Sequence, residues 1–393
     1  MDELSTTFPY RAFRIYPLVV SRTTALDGLR QRVGARERTI GVGIVGLSAT
    51  GGWGAGAHVP ALSAAGGFEL RGLVGGSTTS ARAASEVHGV PAYRSVERLA
   101  QAEDIDLVVV TVKTPRHREL VLPALAAGRP VFCEWPLAVD LGEAEEIASA
   151  ARAVPTFVGL QGRSSPTFRW LAGLVSDGYV GEVLSATVSS TVTEWGGPVA
   201  QRMLYTLDRT LGATMLGIAF GHAIDAASMV VGDLQDVVAT TAVRHPHVRL
   251  GGGDRLVPMT ADDQIAVSGR LPNGAILSAH QRGGTAAGSS FSMVIDGTAG
   301  TLEVTAPDHP HVVPVLVRGA RRGEPLTTLT RPDDPYRHLA QTPIHSLVHA
   351  YAGIGHTLRG GPRTVPDFAH AVRRHRLLDA ITRSAETGRR IDL

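Results

Sequence analysis

The sequence predicts an α/β protein of two domains, in which a parallel-sheet domain precedes an α+β domain with a large, mostly antiparallel sheet. Apolar strand patterns alternate with helical patterns from residue 39 to 163, as repeated βαβ units require. Long strands of alternating hydrophobicity follow between 164 and 393. The length of 393 residues also exceeds what one ordinary hydrophobic core holds, so two domains are expected.

In the first half of the chain, the secondary-structure elements are predicted from a hydrophobic periodicity that begins at residue 40. Residues 1–38 show no clean period and are expected to form an arm or an interface segment. Gly128 supplies a C-cap signal for the helix before it. The predicted strands are 40–46, 68–75, 92–93, 106–113, 130–134 and 156–160. The predicted helices are 57–66, 80–87, 96–102, 115–127 and 141–151.

In the second half of the chain, the hydrophobic pattern changes and predicts mainly strands, with a few helices between them. Asn273-Gly274 is a strong hairpin signal between two of the strands. The predicted strands are 183–195, 235–245, 263–271, 275–282, 290–296, 300–305 and 312–318. The predicted helices are 166–176, 213–231, 343–359 and 366–387. Packing of the last helix against the first domain is one arrangement that this order allows.

The segment 40–58 is the strongest functional signal, because an apolar strand there ends in a glycine-dense turn that leads into a helix. Its spacing reads Gly46-x-Ser48-x-x-Gly51, a G-x-G-x-x-G pattern with serine in the middle place. Glycines allow close approach of the backbone to a pyrophosphate, and the helix N-terminus supplies free N–H donors. The turn predicts a Rossmann dinucleotide-binding domain; the alternative is a glycine-rich loop without a ligand.

The end of the second strand decides between the two nicotinamide cofactors. NAD sites usually place a carboxylate there for the ribose 2′-hydroxyl. This chain instead has Ser77, Thr78 and, further on, Arg82, which suit a 2′-phosphate. NADP is therefore favoured, with NAD as the alternative.

Composition excludes several other classes of protein. The net charge of +2, without a long basic run, argues against a nucleic-acid binder. Cys133 is the only cysteine, so no disulfide framework is expected. No apolar stretch reaches membrane-spanning length, and the first residues lack the pattern of a signal peptide, so a cytoplasmic protein is expected.

Lys113 is the only lysine in the sequence, and it stands at the end of an apolar strand pattern. Scarce lysine is explained by a biased base composition of the gene, but the retention of one lysine at this place is not. Unlike arginine, a partly desolvated lysine can lose its proton at a useful pH.

Several motifs together resemble the Gfo/Idh/MocA oxidoreductases over residues 38–393. The motifs are Gly43-Ile-Val-Gly46, His58-Val-Pro-Ala-Leu62, the run from Ala124 to Leu137, Gly178-Tyr-Val-Gly-Glu182, the run from Gly212 to Asp225 and the ending from Ser384. The resemblance implies a Rossmann domain, a second α/β domain and action on sugars, cyclitols or related polyols. The lengthened Gly-Gly-Trp turn and Glu134-Trp135 look most like the branch that contains the fungal galactose-pathway repressor, which binds the dinucleotide but acts as a regulator.

Two departures from the family pattern concern catalysis. Trp135 stands where the family commonly has a lysine that polarises the substrate oxygen, and Ile218 stands where an acidic residue is common. His222 matches the active-site histidine and is the first acid–base candidate, since an ordinary imidazole pKa near 6.5 suits either direction of proton transfer. Asp225, near the same helix face, is expected either to orient His222 or to face solvent. A buried, purely structural His222 is the alternative.

The remaining candidates line the cleft that the resemblance implies. Lys113 is expected to bind a cofactor phosphate or ribose, or else to replace the missing lysine in catalysis. Trp53 and Trp135 are expected either to stack on a ligand ring or to be core residues. Thr111 and Glu134 are counted on the cofactor side, and the substrate-side candidates are Gln161, Arg163, Tyr205, Asp208 and Asp225.

Two His-Pro-His segments, 245–247 and 309–311, have no carboxylate or thiol nearby in the sequence at the spacing of metal ligands, so no metal is expected. A homo-oligomer is expected, because a sheet covered by helices on one side leaves an apolar face open. Three functions stay open: an NAD(P)-dependent oxidoreductase on a sugar-like or cyclic hydroxy or keto compound, a dinucleotide-binding regulator, and a net non-redox enzyme with bound dinucleotide. His222 and Lys113 favour the first, and Trp135 and Ile218 favour the others.

Overall fold

The computed structural model describes residues 38–151 and 154–393, so most of the predicted arm 1–38 lies outside the described residues. The first sheet has five parallel strands in the order β2-β1-β3-β4-β5, which confirms the predicted parallel sheet. Its strands are β1 Ile40–Val45, β2 Phe68–Val74, β3 Leu107–Val110, β4 Val131–Cys133 and β5 Thr156–Val158. All of β1, β3, β4 and β5 is buried, as near-continuous apolar runs require in a sheet covered on both faces.

Helices follow these strands in the alternation that the sequence predicts. They are α1 Val59–Ala65, α2 Thr78–His88, α3 Val96–Gln101, α4 His117–Ala126 and α5 Leu141–Ala150. A π-helical turn, Gly54–His58, precedes α1 without a break in the helical backbone. Side-chain caps fix the starts of three helices: Ser77 for α2, Ser95 for α3 and Asp140 for α5.

The second sheet has nine strands in the order β15-β14-β13-β12-β6-β11-β10-β7-β16, and only the pairing of β6 with β11 is parallel among the described strands. The strands are β6 Val183–Thr191, β7 Asp236–Ala242, β10 Gln264–Arg270, β11 Ile276–Arg282, β12 Ser290–Gly297, β13 Gly300–Ala306, β14 Leu316–Arg321, β15 Thr327–Thr328 and β16 Ile391–Asp392. A separate hairpin joins β8 His247–Arg249 to β9 Leu256–Pro258. The hairpin predicted at Asn273-Gly274 joins β10 to β11, with Gly274 at a φ of 85°.

The remaining helices are α6 Pro166–Ser176, α7 Gly221–Val231, α8 His345–Leu358 and α9 Phe368–Thr387. A second π-helical turn, Leu216–Phe220, leads into α7. Helix α8 returns to the first domain, where Tyr351 packs edge-on against Phe132 and Phe68. None of the described helices is long and apolar enough to cross a bilayer.

Helix α9 contacts both sheets. Its entry is tied to β5, because the Val158 N–H donates to the Pro366 carbonyl over 2.9 Å. Its other end reaches β7, where the Ala239 N–H donates to Ser384 Oγ over 2.9 Å. The C-terminal helix therefore holds the two sheets in one packed unit.

Several predicted boundaries differ from the structure; the strand predicted at 92–93 is an isolated bridge from Ala92 to Leu73, and three other differences bear on the site. The strand predicted at 312–318 is observed at Leu316–Arg321, because residues 307–315 form a loop. Strand β6 ends at Thr191, and β3 ends at Val110. Thr111, Val112 and Lys113 consequently follow β3 as an irregular segment at the carboxyl edge of the sheet.

Candidate functional site

The glycine turn after β1 has the backbone shape that a close ligand approach requires. Gly46 has a φ of 92°, and a Cβ there would lie 2.7 Å from Val112 Cγ1. Gly51 and Gly52 both have a φ of 73°; a Cβ on Gly51 would meet nothing within 4 Å, and one on Gly52 would meet only Ser48 Oγ, at 3.9 Å. Ser48 Oγ donates to the carbonyl oxygens of Thr50 and Gly51, over 3.0 and 2.8 Å, and folds the turn. The serine in the middle of the fingerprint therefore shapes the loop from inside.

Trp53 and Thr111 flank this turn. Thr111 Oγ1 donates to the Val45 carbonyl over 3.0 Å. A Cβ on Gly54 would lie 2.9 Å from Thr111 Oγ1. Trp53 packs on the core beneath the first sheet, but its buried Nε1 has no partner among the described residues. An unpaired buried donor beside the turn is a polar group that a bound molecule can satisfy.

The hydroxyls at the end of β2 are committed to the start of α2. Ser77 and Ser80 form a reciprocal capping box, and Thr78 begins the helix. The Arg82 side chain is 83% exposed and pairs with Glu86 over 3.1 Å, an exposed contact that is readily exchanged for a ligand anion.

Lys113 lies at the carboxyl edge of the parallel sheet, as predicted. Its Nζ stands over the Tyr205 ring, 4.8 Å from the centroid, and has no hydrogen-bond or ion-pair partner among the described residues. Burial raises the pKa of Tyr205, so that side chain is a neutral phenol. Asp208 Oδ1 accepts bonds from the Thr210 N–H and hydroxyl, which caps a short 3₁₀ turn. We therefore leave the exposed Asp208 out of the proposed substrate site.

Glu134 is the centre of a polar network that sequence reasoning did not find. Its carboxylate accepts from His58 Nε2 over 3.0 Å and from Gln161 Nε2 over 3.0 Å. Because a carboxylate only accepts, His58 carries its proton on Nε2, and its Nδ1 accepts from the Tyr351 hydroxyl over 2.8 Å. Gly159 leaves room for the carboxylate, since a Cβ there would lie 2.7 Å from Glu134 Oε1.

Trp135 is a packed interior residue. It is 5% exposed, and its Nε1 donates to the Gly217 carbonyl over 2.8 Å. Its ring lies 4.8 Å from that of His375 on α9, and Gly221 packs beneath it. Of the two expectations for Trp135, stacking on a ligand does not suit this burial, so we assign it to the core. Its bond to Gly217 docks the helical segment that bears His222 on the Glu134-Trp135-Pro136 loop.

His222 stacks on a second histidine that the sequence did not connect with it. The rings of His222 and His311 lie 3.9 Å apart at 15°, and His309 lies 5.5 Å from His311. Burial, followed by the charge of His309, lowers the pKa of His222 to about 3, although Asp225 opposes this shift. The pKa of His222 therefore lies below the ordinary imidazole value of 6.5. The ring nitrogens of His222 form no hydrogen bond with the described residues, which leaves them available to a ligand.

Asp225 neither bonds to His222 nor faces solvent, contrary to both expectations. Its buried carboxylate accepts from Arg163 Nε over 2.9 Å and from His370 Nε2 over 2.7 Å, and Arg374 Nε lies 3.7 Å away. Burial raises its pKa, but the His370 bond and the two arginines outweigh burial and lower it. Asp225 and Arg163 thus form an ion pair between the β5–α6 loop and α7, so we do not place either of them in direct substrate contact.

One group of side chains has the composition of a metal site. Asp334, His345 and His349 bring their ligand atoms within 4.8 Å of one another. Asp334 already accepts from His345 Nε2 over 2.6 Å, from His349 Nε2 over 3.0 Å, and from Arg331. These bonds hold the 331–336 loop on α8, and the arginine balances the charge of the carboxylate. Histidines four apart on a predicted helix were the signal for it.

Comparisons with known proteins agree with this architecture. The NAD-binding Rossmann fold of the Gfo/Idh/MocA oxidoreductase family matches residues 40–160, and the C-terminal domain of Gal80p matches 166–306. The chain belongs to the Gfo/Idh/MocA family of oxidoreductases. This confirms the family and the branch that the motifs suggest.

Relatives in this family include both enzymes and a regulator. The dehydrogenase aclE of Aspergillus oryzae is 29% identical over 82% of this chain and 88% of its own length. The galactose/lactose metabolism regulatory protein GAL80 of Saccharomyces cerevisiae is 30% identical over 67% of this chain and 66% of its own length. Levoglucosan dehydrogenase in complex with NADH and L-sorbose superposes with a TM-score of 0.77 at 21% identity, covering 90% of this chain and 98% of that chain.

Proposed function

We propose that the protein is an NAD(P)-dependent oxidoreductase that transfers a hydride between its dinucleotide and a sugar-like, cyclitol or other cyclic hydroxy or keto compound. The observation that carries the proposal is the docking of the His222 helix on the Glu134-Trp135-Pro136 loop, through the bond from Trp135 to Gly217. We infer from that docking that the His222 imidazole, which has no hydrogen-bond partner among the described residues, lies near the carboxyl edge of the parallel sheet, where dinucleotides bind in this class of fold.

The residues of the turn fit a dinucleotide. Gly46 cannot accept a side chain, Gly51 and Gly52 leave open space, and the Trp53 N–H lacks a partner. Lys113 adds an unpaired positive charge at the same edge. When bound, the nicotinamide supplies or accepts the hydride.

The protein must then move one proton at the reacting oxygen. His222 is neutral at pH 7, because burial lowers its pKa to about 3, so one of its ring nitrogens can accept the proton of a substrate hydroxyl. We assign Lys113 to a cofactor phosphate or ribose, as a fixed charge. Tyr205, held against Lys113, borders the substrate side of the same cleft.

NADP is proposed over NAD, because Arg82 is exposed and held only by Glu86. Fluorescence titration of both reduced cofactors tests this. We expect Arg82→Ala to weaken NADPH binding by about tenfold, the loss of one charge-assisted contact, with NADH unchanged. Arg98→Ala, an exposed arginine on α3, is the matched control. Tighter binding of NADH than of NADPH by the wild type would show that the cofactor assignment is wrong.

A regulator without turnover, or a net non-redox enzyme with bound dinucleotide, is the second candidate. Trp135 favours it, because a buried core residue occupies the place of the family's usual lysine. The similarity to GAL80, a metabolism regulatory protein, points the same way.

One experiment separates these functions. The protein is loaded with oxidised dinucleotide, and nicotinamide absorbance is followed with a panel of polyols and cyclitols. Reduction that His222→Asn abolishes supports the oxidoreductase. Tight dinucleotide binding with no redox change across the panel, in either direction, supports the second candidate.

We also propose that two copies pair through the open face of the nine-stranded sheet. The expected apolar character of this face is wrong: its central outward residues are small and polar, among them Thr187, Ser189, Ser278 and Ser292. A broad surface of small side chains, with Ile276 and Leu316 exposed on the same sheet, still suits contact with a second copy. Sedimentation at micromolar concentration tests this, and a stable monomer would contradict it.

A further inference from the structure

We propose that a cavity at the N-termini of α6 and α8 is a binding site for a small oxyanion, a phosphate or carboxylate group. The cavity has a volume of about 120 Å³, room for a tetrahedral oxyanion but not for a dinucleotide. The polar residues that line it are Ser165, Thr167, His311, Arg331, Thr342, His345 and Ser346.

Two helix N-termini meet at this cavity, and neither has a side-chain cap. Helix α6 follows Ser165, whose hydroxyl makes no capping bond, and α8 follows Ile344, which cannot make one. Neither helix has an acidic residue in its first turn. Two uncapped N-termini place free N–H groups and two positive dipole ends on one small volume.

Two serine hydroxyls in the cavity lack partners. Ser165 and Ser346 are each only 5% exposed, and neither side chain has a hydrogen bond to any described residue. Both residues line the cavity, and each of these free hydroxyls can donate to an anion held between them. This observation is independent of the helix ends and points to a polar ligand.

The charges around the cavity are compatible with an anion. Arg331 lines it, and its Nη2 pairs with Asp334 over 3.0 Å, which leaves its other N–H donors. Asp334 is not among the lining residues; it lies behind Arg331 and His345. The residues that line the cavity therefore include donors and a cation but no carboxylate.

The ring of His311 separates the cavity from His222, the proposed acid–base residue. His311 lines it and stacks on His222 with 3.9 Å between ring centroids. An anionic group of the substrate held here would sit beside the reacting centre, a reading that rests on the proposed function. A free anion in the same place needs only the cavity.

Titration calorimetry with inorganic phosphate tests the site on the full chain in a phosphate-free buffer. Because the glycine turn can also bind phosphate, the readout is the difference in the number of phosphates bound by the wild type and by Ser346→Asp. Wild type should bind one phosphate more than Ser346→Asp, whose carboxylate occupies the cavity. Ser165→Ala and Ser346→Ala should each weaken that phosphate by about fivefold or more.

Ser176→Ala is the matched control, because Ser176 lies exposed at the other end of α6 and bonds only to the Gly173 carbonyl. It should bind phosphate like the wild type. Equal phosphate binding by wild type, Ser346→Asp and both alanine variants would overturn the proposal, as would no binding at all.

A second arm assigns the source of the anion. Glucose 6-phosphate that binds the wild type more tightly than phosphate, with the gain lost in Ser346→Asp, supports a substrate-borne group. Equal affinities support a free anion, and both results support the site. A protein without dinucleotide binding or redox turnover would contradict the proposed function, but the wild type would still bind one phosphate more than Ser346→Asp.

Discussion

The neutrality of His222 in weak acid is the sharpest consequence of the structure. An imidazole with its ordinary pKa of 6.5 would be about nine-tenths protonated at pH 5.5, whereas a pKa of about 3 leaves more than about 99% neutral. If His222 accepts the substrate proton, kcat/KM for alcohol oxidation should stay level from pH 7 to pH 5.5. An ordinary imidazole would lose about tenfold over the same interval.

Histidine NMR measures this without a known substrate. Ring-labelled protein is titrated from pH 7.5 to pH 4.5, and the His222→Gln spectrum assigns the signal. The signal should keep its neutral shift through pH 5. His309→Asn should raise the pKa of His222 by removing a neighbouring charge, but only partly, because burial is the larger cause. A midpoint for His222 at pH 6 or above would refute the reasoning.

Three further predictions concern the cofactor edge and the domain contact. Lys113→Ala should raise the cofactor Kd by about tenfold and change turnover at saturating cofactor little; a collapse of turnover with unchanged Kd would instead make Lys113 the missing lysine's replacement. Gly46→Ala should abolish fluorescence-detected cofactor binding, because the new Cβ meets Val112 at 2.7 Å and the φ is 92°, and Gly56→Ala, with open space around it, is the control. Asp225→Asn should destabilise the fold by about 3 kcal/mol in thermal unfolding at pH 7, since it leaves the largely buried Arg163 unpaired, whereas Arg374 keeps its ion pair with Asp233. Its lowered pKa places this stability above pH 3.8, with loss as the pH falls further; wild-type melting for Asp225→Asn would contradict the ion-pair role.

The sequence predicts most of the fold because its elements carry local signals. Buried parallel strands such as Leu107–Val110 are continuous apolar runs, and Asn273-Gly274 dictates a hairpin. The misplaced strand at 312–318 has a physical cause. His309, Pro310 and Pro314 keep residues 307–315 in a loop, and strand pairing with β13 resumes only at Leu316.

The candidate site was predicted only where function depends on local backbone. Gly46 and Lys113 lie where strand ends place them, because chain order alone fixes the carboxyl edge of a parallel sheet. Partners set by tertiary packing were not predictable. Nothing near Glu134 in sequence indicates Tyr351, and nothing near His222 indicates His311.

Tertiary contacts that the sequence does not predict change what the family's motif residues can do in this protein. His222 keeps its place in the chain and stacks on His311, but its burial and the charge of His309 lower its pKa and make it neutral at pH 7. At pH 7 such a group is present in the form that accepts a proton, although its low pKa also makes it a weak base. Trp135 meanwhile takes the lysine's place in the chain without its chemistry, because its indole bonds to a backbone carbonyl. Under the proposed function, His222 then accepts the substrate proton, and Lys113, the only lysine in the sequence, is the cation at that edge that balances charge on the ligand.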